Sequence, residues 1–374
     1  MNLIESSDIN SLQTLEGSPA DAGYYFPAEW ELHAATWLSW PHNTDTWPGK
    51  FKQIYSSYCE FIQILSLSER VNINVGSVEL AKLAYTRIAQ YGAELENIFF
   101  YLNPTNDAWC RDHGPSFLVN RDSSKGKIIV DWEYNAWGAK YPPFEFDNAI
   151  PSKIASQLDI QVAKPGIVME GGSVDVNGSG ALITSESCLL NPNRNPNLSK
   201  GEIEQKLRDY YGVKEILWVK EGIEGDDTDG HIDDTVRFVD ESSVICMIEN
   251  DESDINCKSL LVNRRMLEQV KINASKINAS KINTSINNEQ RLTIIEIEMP
   301  EPIYYHGQRL PASYANFYIT NEHVIVPTFG CKNDEQAQSI LQECFPNKNV
   351  VGIDSKELIL GFGSFHCLSM QEPI

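Results

Sequence analysis

The chain has 374 residues, of which 42% are hydrophobic, so it can bury a large core and is not a disordered protein. The 52 Asp and Glu against 30 Lys and Arg leave a formal net charge of -22, which repels nucleic acid and anionic membranes and tolerates cationic ligands. No apolar run approaches the roughly 20 residues of a membrane helix, and the first twenty residues lack the pattern of a secretory signal. We therefore expect a cytoplasmic protein without a nucleic-acid or membrane partner.

Strands and helices are predicted to interleave along the chain. Short runs rich in β-branched residues predict strands, and apolar residues repeating every three or four positions predict helices. The predicted strands are 71–75, 127–131, 181–184, 244–248, 292–297 and 323–327, and the predicted helices are 51–67, 81–91, 203–210, 262–270 and 334–344. The class is α/β, and because no linker divides residues 1–374 we expect a single domain.

Two segments are predicted to lie outside the packed core. Residues 1–22 are expected to be a flexible N-terminus. Residues 271–285 read KINAS, KINAS, KINTS, and a period of five suits neither a helix nor a strand. We interpret 271–290 as a low-complexity surface insertion, whose three N-x-S matches would matter only in a secreted protein.

The eight cysteines show no C-x-x-C pair, which is typical of reduced thiols rather than of a disulfide framework or a zinc site. Any one of them can therefore be a free nucleophile. They are Cys59, Cys110, Cys188, Cys246, Cys257, Cys331, Cys344 and Cys367.

The segment Thr228–Asp234 reads TDGHIDD. His231 and Asp233 are two residues apart, so an extended backbone would point both side chains to the same face. A solvated acidic turn is the alternative interpretation. An EF-hand loop would need acids at positions now held by Gly225 and Val236, which excludes that type of calcium site.

The segment Gly361–Pro373 reads GFGSFHCLSMQEP, with small residues such as Gly363 where backbone would approach a ligand closely. Cys367 is the nucleophile candidate, and a buried structural thiol is the alternative. His366 would point away from Cys367 on a strand, so His231 is the better partner.

Two further acids are predicted at strand ends, where loop-borne acids often build sites. Asp112 lies within WCRDHGP and Glu170 opens an E-G-G turn. A salt bridge to Arg111 or Arg237 is the alternative for Asp112, and a surface turn is the alternative for Glu170.

One cysteine, one histidine and three acids together indicate a particular substrate. Acyl transfer requires an oxyanion hole of donors, which a ring of anions contradicts. A guanidinium is a planar cation that pairs bidentately with carboxylates, so it fits them well.

These motifs resemble those of the agmatine deiminase and bacterial-type peptidylarginine deiminase family, within the guanidine-modifying pentein superfamily. The resemblance covers residues 24–374 and is carried, in order, by FPAEWELHAATWLSWPH, WCRDHGP, NAWG, EGGS, TDGHID, MPEPI and the terminal GFGSFHCLSMQEP. It implies a single-domain α/β propeller of five ββαβ pseudo-repeats around a central channel. It also implies a homodimer.

The resemblance assigns a role to each candidate residue. Cys367 would be the nucleophile and His231 the general acid and base, while three carboxylates would bind the guanidinium: Asp112, Glu170 and Asp233. We expect the reaction to pass through a covalent thiouronium without a metal or organic cofactor. Trp109, Trp137 and Gly363 are predicted to contact the substrate, with core packing as the alternative for the two tryptophans, whereas Trp37 and Trp40 are assigned to the core.

The expected activity is hydrolysis of agmatine to N-carbamoylputrescine and ammonia. Arg111 and Arg237 are expected to form internal salt bridges rather than to bind a substrate carboxylate, which favours agmatine over arginine. Deimination of arginine or peptidyl-arginine stays open. So do amidino transfer to an amine and a non-catalytic guanidine or polyamine binder.

Overall fold

Five small sheets in the computed structural model repeat one pattern. In each, an antiparallel pair of strands is followed by a helix and by a third strand parallel to the second. The structure describes residues 1–5, 12–273 and 289–374. We number the repeats units I to V along the chain, with unit I taking its first strand from the C-terminal segment.

Units I and II carry extra strands at their edges. Unit I contains Ser369–Pro373, His33–Ser39, helix Ile54–Ser66 and Arg70–Val75, extended by helix Val78–Gln90 and by strands Ile98–Leu102 and Asn2–Ile4. Unit II contains Ser116–Asn120, Lys127–Val130, helices Glu145–Asn148 and Ile150–Leu158, and Val162–Ala163, extended by Tyr24–Tyr25.

Units III to V are three-stranded. Unit III contains Val174–Val176, Ala181–Ser185, helices Glu186–Leu189 and Lys200–Tyr211, and Glu215–Val219. Unit IV contains Val236–Phe238, Ser243–Ile248, helix Ile255–Leu267 and Thr293–Glu298. Unit V contains Tyr318–Ile319, His323–Thr328, helix Asp334–Cys344 and Asn349–Asp354, and the hairpin Tyr304–Tyr305 with Gln308–Arg309 precedes it.

Helix Lys200–Tyr211 of unit III shows how local sequence determines where these elements begin and end. Ser199 and Glu202 form a reciprocal capping box at its start, and Gly212, at φ 69°, ends it in the left-handed conformation. Leu207 and Tyr211 lie one turn apart on its buried face, and Tyr211 stacks on Phe26 at 4.8 Å between ring centroids. Burying one such side chain contributes roughly 1.5–3 kcal/mol.

The α/β class and the fivefold ββαβ repetition are confirmed, and Trp37 and Trp40 are fully buried as predicted. The helix predicted over 262–270 begins earlier, at Ile255, because the Asp254 side chain accepts a hydrogen bond from the backbone N–H of Asn256. Two of the four buried positions of this helix are asparagines, Asn256 and Asn263, so its buried face does not show as an apolar repeat at the start.

Parts of both segments predicted outside the core form strands. In the N-terminal segment 1–22, Asn2–Ile4 pairs in parallel with Ile98–Leu102. In the predicted insertion 271–290, Lys271–Asn273 pairs antiparallel with Glu289–Arg291, and residues 274–288 lie outside the described part of the chain. No helix among the described residues is both long and apolar enough to cross a bilayer.

Candidate active site

A short turn precedes the first strand of every unit, and each turn brings at least one polar side chain to a common centre. The turns of units II, III and IV include Cys110–His113, Gly171–Ser173 and Ile232–Asp234, and those of units V and I include Tyr314–Asn316 and residues 364–368. In the order of units I to V the side chains are Cys367, Asp112, Glu170, Asp233 and Asn316.

Hydrogen bonds join most neighbouring turns and close them into a ring. The N–H of Arg111 donates to the Cys367 carbonyl at 3.0 Å, and the N–H of Gly172 donates to Asp112 Oδ1 at 3.0 Å. The Asn316 amide donates to Asp234 Oδ1 at 3.0 Å and accepts from the N–H of Cys367 at 3.3 Å. Each unit therefore contributes at least one residue to the site, and unit IV contributes both His231 and Asp233.

A cavity of about 500 Å³ opens onto this ring. Asp112, Cys367 and Gly363 line its inner end together with the indoles of Trp109 and Trp137. Four more aspartates line it: Asp45, Asp107, Asp147 and Asp227. Among the residues that the structure describes, no lysine or arginine lines this cavity. The volume and the charge suit a small cationic ligand.

Asp112 is held by two donors at the edge of the cavity. Its Oδ2 accepts a hydrogen bond from the indole of Trp137 at 3.1 Å, and its Oδ1 accepts the bond from Gly172. Burial raises the pKa of Asp112 to about 6, with the charges of Asp233 and Glu170 adding to burial and His231 opposing it. No salt bridge to Arg111 or Arg237 forms, so that alternative is wrong.

Glu170 is fully buried rather than part of a surface turn. Its Oε1 accepts a hydrogen bond from Arg194 Nε at 2.7 Å, while its Oε2 has no hydrogen-bond partner among the described residues. Burial would raise its pKa, but His231 and Arg194 outweigh burial and lower it. Glu170 is therefore an ionised carboxylate with one free oxygen.

His231 lies between the carboxylates of Asp112 and Glu170. Its Nδ1 is 3.6 Å from Asp112 Oδ1, and its Nε2 is 4.0 Å from Glu170 Oε2. Burial lowers the pKa of His231, but Asp112, Cys188 and Glu170 outweigh burial and raise it well above its usual value. The imidazole is thus a protonated, buried acid.

Gly172 leaves the space into which these side chains converge. A Cβ at this position would lie 2.6 Å from His231 Nδ1, 2.8 Å from Asp112 Oδ1 and 3.2 Å from Asp233 Oδ2. Any side chain here would displace the charged groups, so the glycine of the E-G-G motif is required by the packing of the site itself.

Asp233 is tied to His366 and, through it, to Glu29. His366 Nδ1 is 2.6 Å from Asp233 Oδ2 and its Nε2 is 2.9 Å from Glu29 Oε2. Asp233 Oδ1 has no hydrogen-bond partner among the described residues. Burial would raise the pKa of Asp233, but the hydrogen bond and charge of His366 outweigh burial and lower it.

Cys367 is 6% exposed and is the only thiol among the described residues that lines the cavity. Its sulfur is 3.7 Å from Asp233 Oδ2 and accepts a hydrogen bond from Asn316 Nδ2 at 2.9 Å. Burial and the charges of Asp233, Asp234 and Asp112 raise the pKa of this thiol well above its usual value, and the bond from Asn316 opposes them.

The two predicted aromatic contacts line the cavity, but the glycines beside Cys367 have another purpose. A Cβ at Gly363 would lie 2.6 Å from Trp109 Cζ3, and one at Gly361 would lie 2.7 Å from the Trp47 indole. These glycines admit the indoles of Trp109 and Trp47, rather than only a ligand as the sequence suggested.

The predicted geometry of the His-x-Asp pair was wrong. His231 precedes a 3₁₀ turn, Ile232–Asp234, so the backbone here is not extended. The tight turn carries Asp233 back toward His366 while His231 faces Asp112. The motif is a turn that supplies two separate faces of the site.

Two buried groups have ligand types that can hold a metal. Their ligating atoms lie within 4.8 Å of one another in each group: Glu170, Cys188 and His231, and Asp233, Asp234 and Cys367. The first group includes Glu170 and His231 of the site, and the second includes Asp233 and Cys367. Their free carboxylate oxygens equally suit the N–H donors of a guanidinium.

Sequence reasoning missed three residues of this site: Glu29, Arg194 and Asn316. Each acts through a partner far away in sequence: Glu29 through His366, Arg194 through Glu170 and Asn316 through Cys367. Glu29 lies within the opening FPAEWEL motif, which was a usable signal. No pattern marked the other two.

Comparisons with known proteins agree with this geometry. The family model for Porphyromonas-type peptidyl-arginine deiminase matches residues 25–373. Agmatine deiminase of Ectopseudomonas mendocina is 33% identical over 389 residues, covering 97% of this chain and 99% of the relative.

Two solved structures are similar over nearly the whole chain. Agmatine deiminase of Enterococcus faecalis has a TM-score of 0.84 at 29% identity and covers 97% of this chain and 99% of its own. A cysteine-to-serine variant of C. jejuni agmatine deiminase with bound substrate has a TM-score of 0.81 at 31% identity, covering 93% and 96%. The chain belongs to the Porphyromonas-type peptidyl-arginine deiminase family, whose members are hydrolases that act on a carbon–nitrogen bond of a guanidine or amidine.

Proposed function

We propose that this protein is an agmatine deiminase, which hydrolyses agmatine to N-carbamoylputrescine and ammonia with Cys367 as nucleophile. The observation that carries the proposal is the charge of the cavity. A thiol and a carboxylate stand at its inner end, four aspartates line it elsewhere, and no lysine or arginine of the described residues lines it.

This charge pattern favours agmatine over arginine. Both compounds carry a guanidinium and an amine, but arginine adds a carboxylate that agmatine lacks. A carboxylate in a cavity lined by aspartates would be repelled and would leave its oxygens without a cationic partner. Arg111 and Arg237 cannot serve, because both are buried in salt bridges with Glu29.

The first step is attack of the sulfur on the guanidinium carbon. Asp112, Glu170 and Asp233 would hold the planar cation, accepting its N–H groups through oxygens such as Glu170 Oε2 and Asp233 Oδ1 that have no other partner. The positive charge of the bound substrate would offset the carboxylates that oppose ionisation of Cys367. A carbon–sulfur bond forms, and the carbon becomes tetrahedral.

The second step releases ammonia and then the product. Protonated His231 would give its proton to the departing nitrogen, so that the carbon–nitrogen bond breaks and a thiouronium remains. Water then attacks the same carbon, and the now neutral His231 takes one proton of that water. The carbon–sulfur bond breaks as the carbonyl forms, and the remaining hydroxyl proton passes to solvent. The ureido product leaves, and both the thiolate and the imidazolium are restored.

The test is formation of ureido product from agmatine, free arginine and a blocked arginyl peptide in parallel. We expect agmatine to exceed arginine in kcat/KM by at least 100-fold, and Cys367→Ser to lose at least 1,000-fold. The matched control is Cys257→Ser, which changes a thiol on helix Ile255–Leu267 outside the cavity.

Each outcome has a definite meaning. Turnover of arginine or peptide in place of agmatine would change the substrate assignment and leave the proposed reaction unchanged. Product that requires an added amine would indicate amidino transfer. Full activity of Cys367→Ser would show that Cys367 is not the nucleophile. If no guanidine is turned over, measured binding without turnover would favour a guanidine-binding protein.

A further inference from the structure

A bulky side chain at the wall of the cavity occupies a backbone position that favours glycine. The 3₁₀ turn Leu358–Gly361 ends at Phe362, which has φ 70° and ψ 15°, in the left-handed region. The residue that ends a helix in this conformation is usually glycine, because a Cβ there lies too close to the following carbonyl oxygen. A phenylalanine at such a φ is an outlier, and backbone outliers are concentrated at functional sites.

Both neighbours of Phe362 are glycines that the packing requires. A Cβ at Gly361 would lie 2.7 Å from the Trp47 indole, and one at Gly363 would lie 2.6 Å from Trp109 Cζ3. All three residues of the segment 361–363 line the cavity. The ring of Phe362 is partly buried against the apolar core. Because the two glycines have no side chain, this segment can narrow the cavity only through that ring.

The charge of the cavity does not exclude every guanidine larger than agmatine. Free arginine carries a carboxylate, which the aspartates of the cavity repel. An arginyl residue within a peptide has no such carboxylate, because its carboxyl group is part of an amide. Charge therefore cannot keep an arginyl peptide out, and a site selective for agmatine needs a steric barrier as well.

We propose that Phe362 is a specificity-determining residue, whose ring narrows the cavity so that it admits the unbranched chain of agmatine and excludes the branched backbone of an arginyl peptide. The inference rests on the proposed function, because it concerns the substrate of that reaction. The ring lines the cavity together with Tyr141, Pro142 and Pro143, and it offers an apolar wall to the methylene chain. A glycine here would relieve the backbone and widen the cavity, so selectivity gives the strained residue a purpose.

The experiment compares two guanidines that differ only in the branch, N-acetylagmatine and acetyl-arginine methylamide. Their kcat/KM values are measured with the unsubstituted protein, Phe362→Gly, Phe362→Ala and Phe362→Leu. We expect the preference for the unbranched compound to fall about tenfold in the Gly and Ala variants and less in the Leu variant, following the volume removed. The kcat/KM for agmatine should fall several-fold, because its methylene chain loses an apolar contact.

Phe362→Ala separates the width of the cavity from the strain of the backbone. Alanine keeps a Cβ at φ 70° and removes the ring, whereas glycine removes both. Asp159→Gly is the matched control, because the exposed Asp159 ends helix Ile150–Leu158 at φ 54° and does not line the cavity. It should relieve the same kind of strain and leave the preference unchanged. A preference altered by Phe362→Gly but not by Phe362→Ala would assign the effect to the backbone and overturn the proposal.

Binding gives a second measurement that does not depend on turnover. In the Cys367→Ser background, calorimetry measures the Kd of the same two compounds with Phe362 intact and with Phe362→Ala. The branched compound should gain about tenfold in affinity relative to the unbranched one. Continued exclusion of the branched compound by folded variants would overturn the proposal. Failure of the proposed function would instead appear as undiminished turnover of agmatine by Cys367→Ser, or as no turnover of any guanidine by the unsubstituted protein.

Discussion

Four buried carboxyl groups near His231 and Cys367 differ in charge because their neighbours differ. The pKa values of Glu170 and Asp233 are lowered because His231 and Arg194 outweigh burial at the first and His366 outweighs it at the second. Burial dominates at Asp112 and Asp234, whose pKa values are raised. The site thus keeps two permanent anions and avoids holding four adjacent negative charges.

The acid side of the pH profile should report Asp112. Because burial raises its pKa to about 6, Asp112 is protonated below that pH and cannot accept the guanidinium N–H groups as an anion. We expect kcat/KM for agmatine to fall about tenfold per pH unit below about pH 6. The measurement is kcat/KM from pH 4.5 to 9.

Asp147 is the control for this profile, because it also lines the cavity and burial raises its pKa to about 7. If Asp112 is responsible for the acid limb of the kcat/KM profile, the midpoint of that limb should stay near pH 6 in Asp147→Asn. Loss of the acid limb in Asp147→Asn would assign it to Asp147 and contradict the role given to Asp112.

The two nitrogens of His366 should have separable roles. Nδ1 bonds Asp233, which is proposed to bind the guanidinium, and Nε2 bonds Glu29, which also bonds Arg111. His366→Asn places an amide N–H near Nδ1 and should retain Asp233 in its orientation, whereas His366→Gln places it near Nε2. We expect kcat/KM of the Asn variant to exceed that of the Gln variant by about tenfold. Equal values, or the reverse order in variants of equal stability, would contradict the assignment.

At the residue scale, the sequence revealed the five charged or nucleophilic candidates because their types and motifs concentrate chemistry. It could not reveal Asn316 or Arg194, because an ordinary polar residue becomes part of a site only through contacts with distant positions. Asn316 and Cys367 are 51 positions apart, and Arg194 and Glu170 are 24 apart. Such pairs carry no local signal.

At the scale of elements, the NAWG segment adopts a conformation that no propensity predicts. Ala136, Trp137, Gly138 and Ala139 all have positive φ, at 50°, 55°, 89° and 61°, and form one turn of left-handed helix. The turn directs the Trp137 indole onto Asp112. Non-glycine residues adopt this conformation at a cost of roughly 1–2 kcal/mol each.

Replacing the exposed Ala139 by glycine should therefore stabilise the protein. Glycine removes the steric cost at φ 61° but gains entropy in the unfolded chain, so we expect a net increase of about 0.5 kcal/mol in the free energy of unfolding, with kcat unchanged. Urea denaturation measures it. Ala89→Gly is the control, since the exposed Ala89 lies in the right-handed helix Val78–Gln90 and should lose roughly 0.5–1 kcal/mol. Equal destabilisation by both changes would refute strain at Ala139.

At the scale of the whole molecule, Glu29 joins four units at the centre of the ring. Its Oε2 accepts hydrogen bonds from Arg111 of the unit II turn at 3.0 Å and from His366 of the unit I turn. Its Oε1 lies 3.0 Å from Arg237 of unit IV and accepts the N–H of Ile319 in unit V. Burial would raise its pKa, but these cations hold the pKa of Glu29 well below its usual value.

Glu29→Gln should destabilise the whole ring. It leaves Arg111 and Arg237 as buried cations without their shared anion, which typically costs about 3–5 kcal/mol. Urea denaturation at pH 7 checks this value. The pKa of Glu29 is lowered in the folded state, so its contribution is present above the unfolded pKa and is lost as the pH falls through the folded one. The difference in the free energy of unfolding between Glu29→Gln and the unsubstituted protein should therefore shrink in strong acid.

The control for Glu29 is Glu268→Gln, which breaks the surface pair with Arg264 on the helix of unit IV. Both partners are more than a third exposed, so the loss should stay below about 1 kcal/mol. A similar small loss in Glu29→Gln would show that the central ion cluster does not stabilise the ring.

The sequence predicted the α/β class from its alternating patterns, but the fivefold repetition came only from family resemblance. The repeats share no visible sequence period, since each unit fills its strands and helices with different residues and connects them with loops of different length. Strands of two or three residues, such as Tyr318–Ile319 and Val236–Phe238, are also too short for a periodicity to mark.

Unit I is closed by a strand from the opposite end of the chain, which affects how the protein folds. Trp37 and Glu372 hydrogen-bond across 335 positions, and His33–Ser39 pairs with Ser369–Pro373. Contacts between such distant positions form late. Closing a long loop costs chain entropy before the contact contributes any stabilising free energy. An intermediate with units II to V assembled would hold the acids but not the sulfur. Recovery of activity during refolding should therefore lag behind recovery of helical signal.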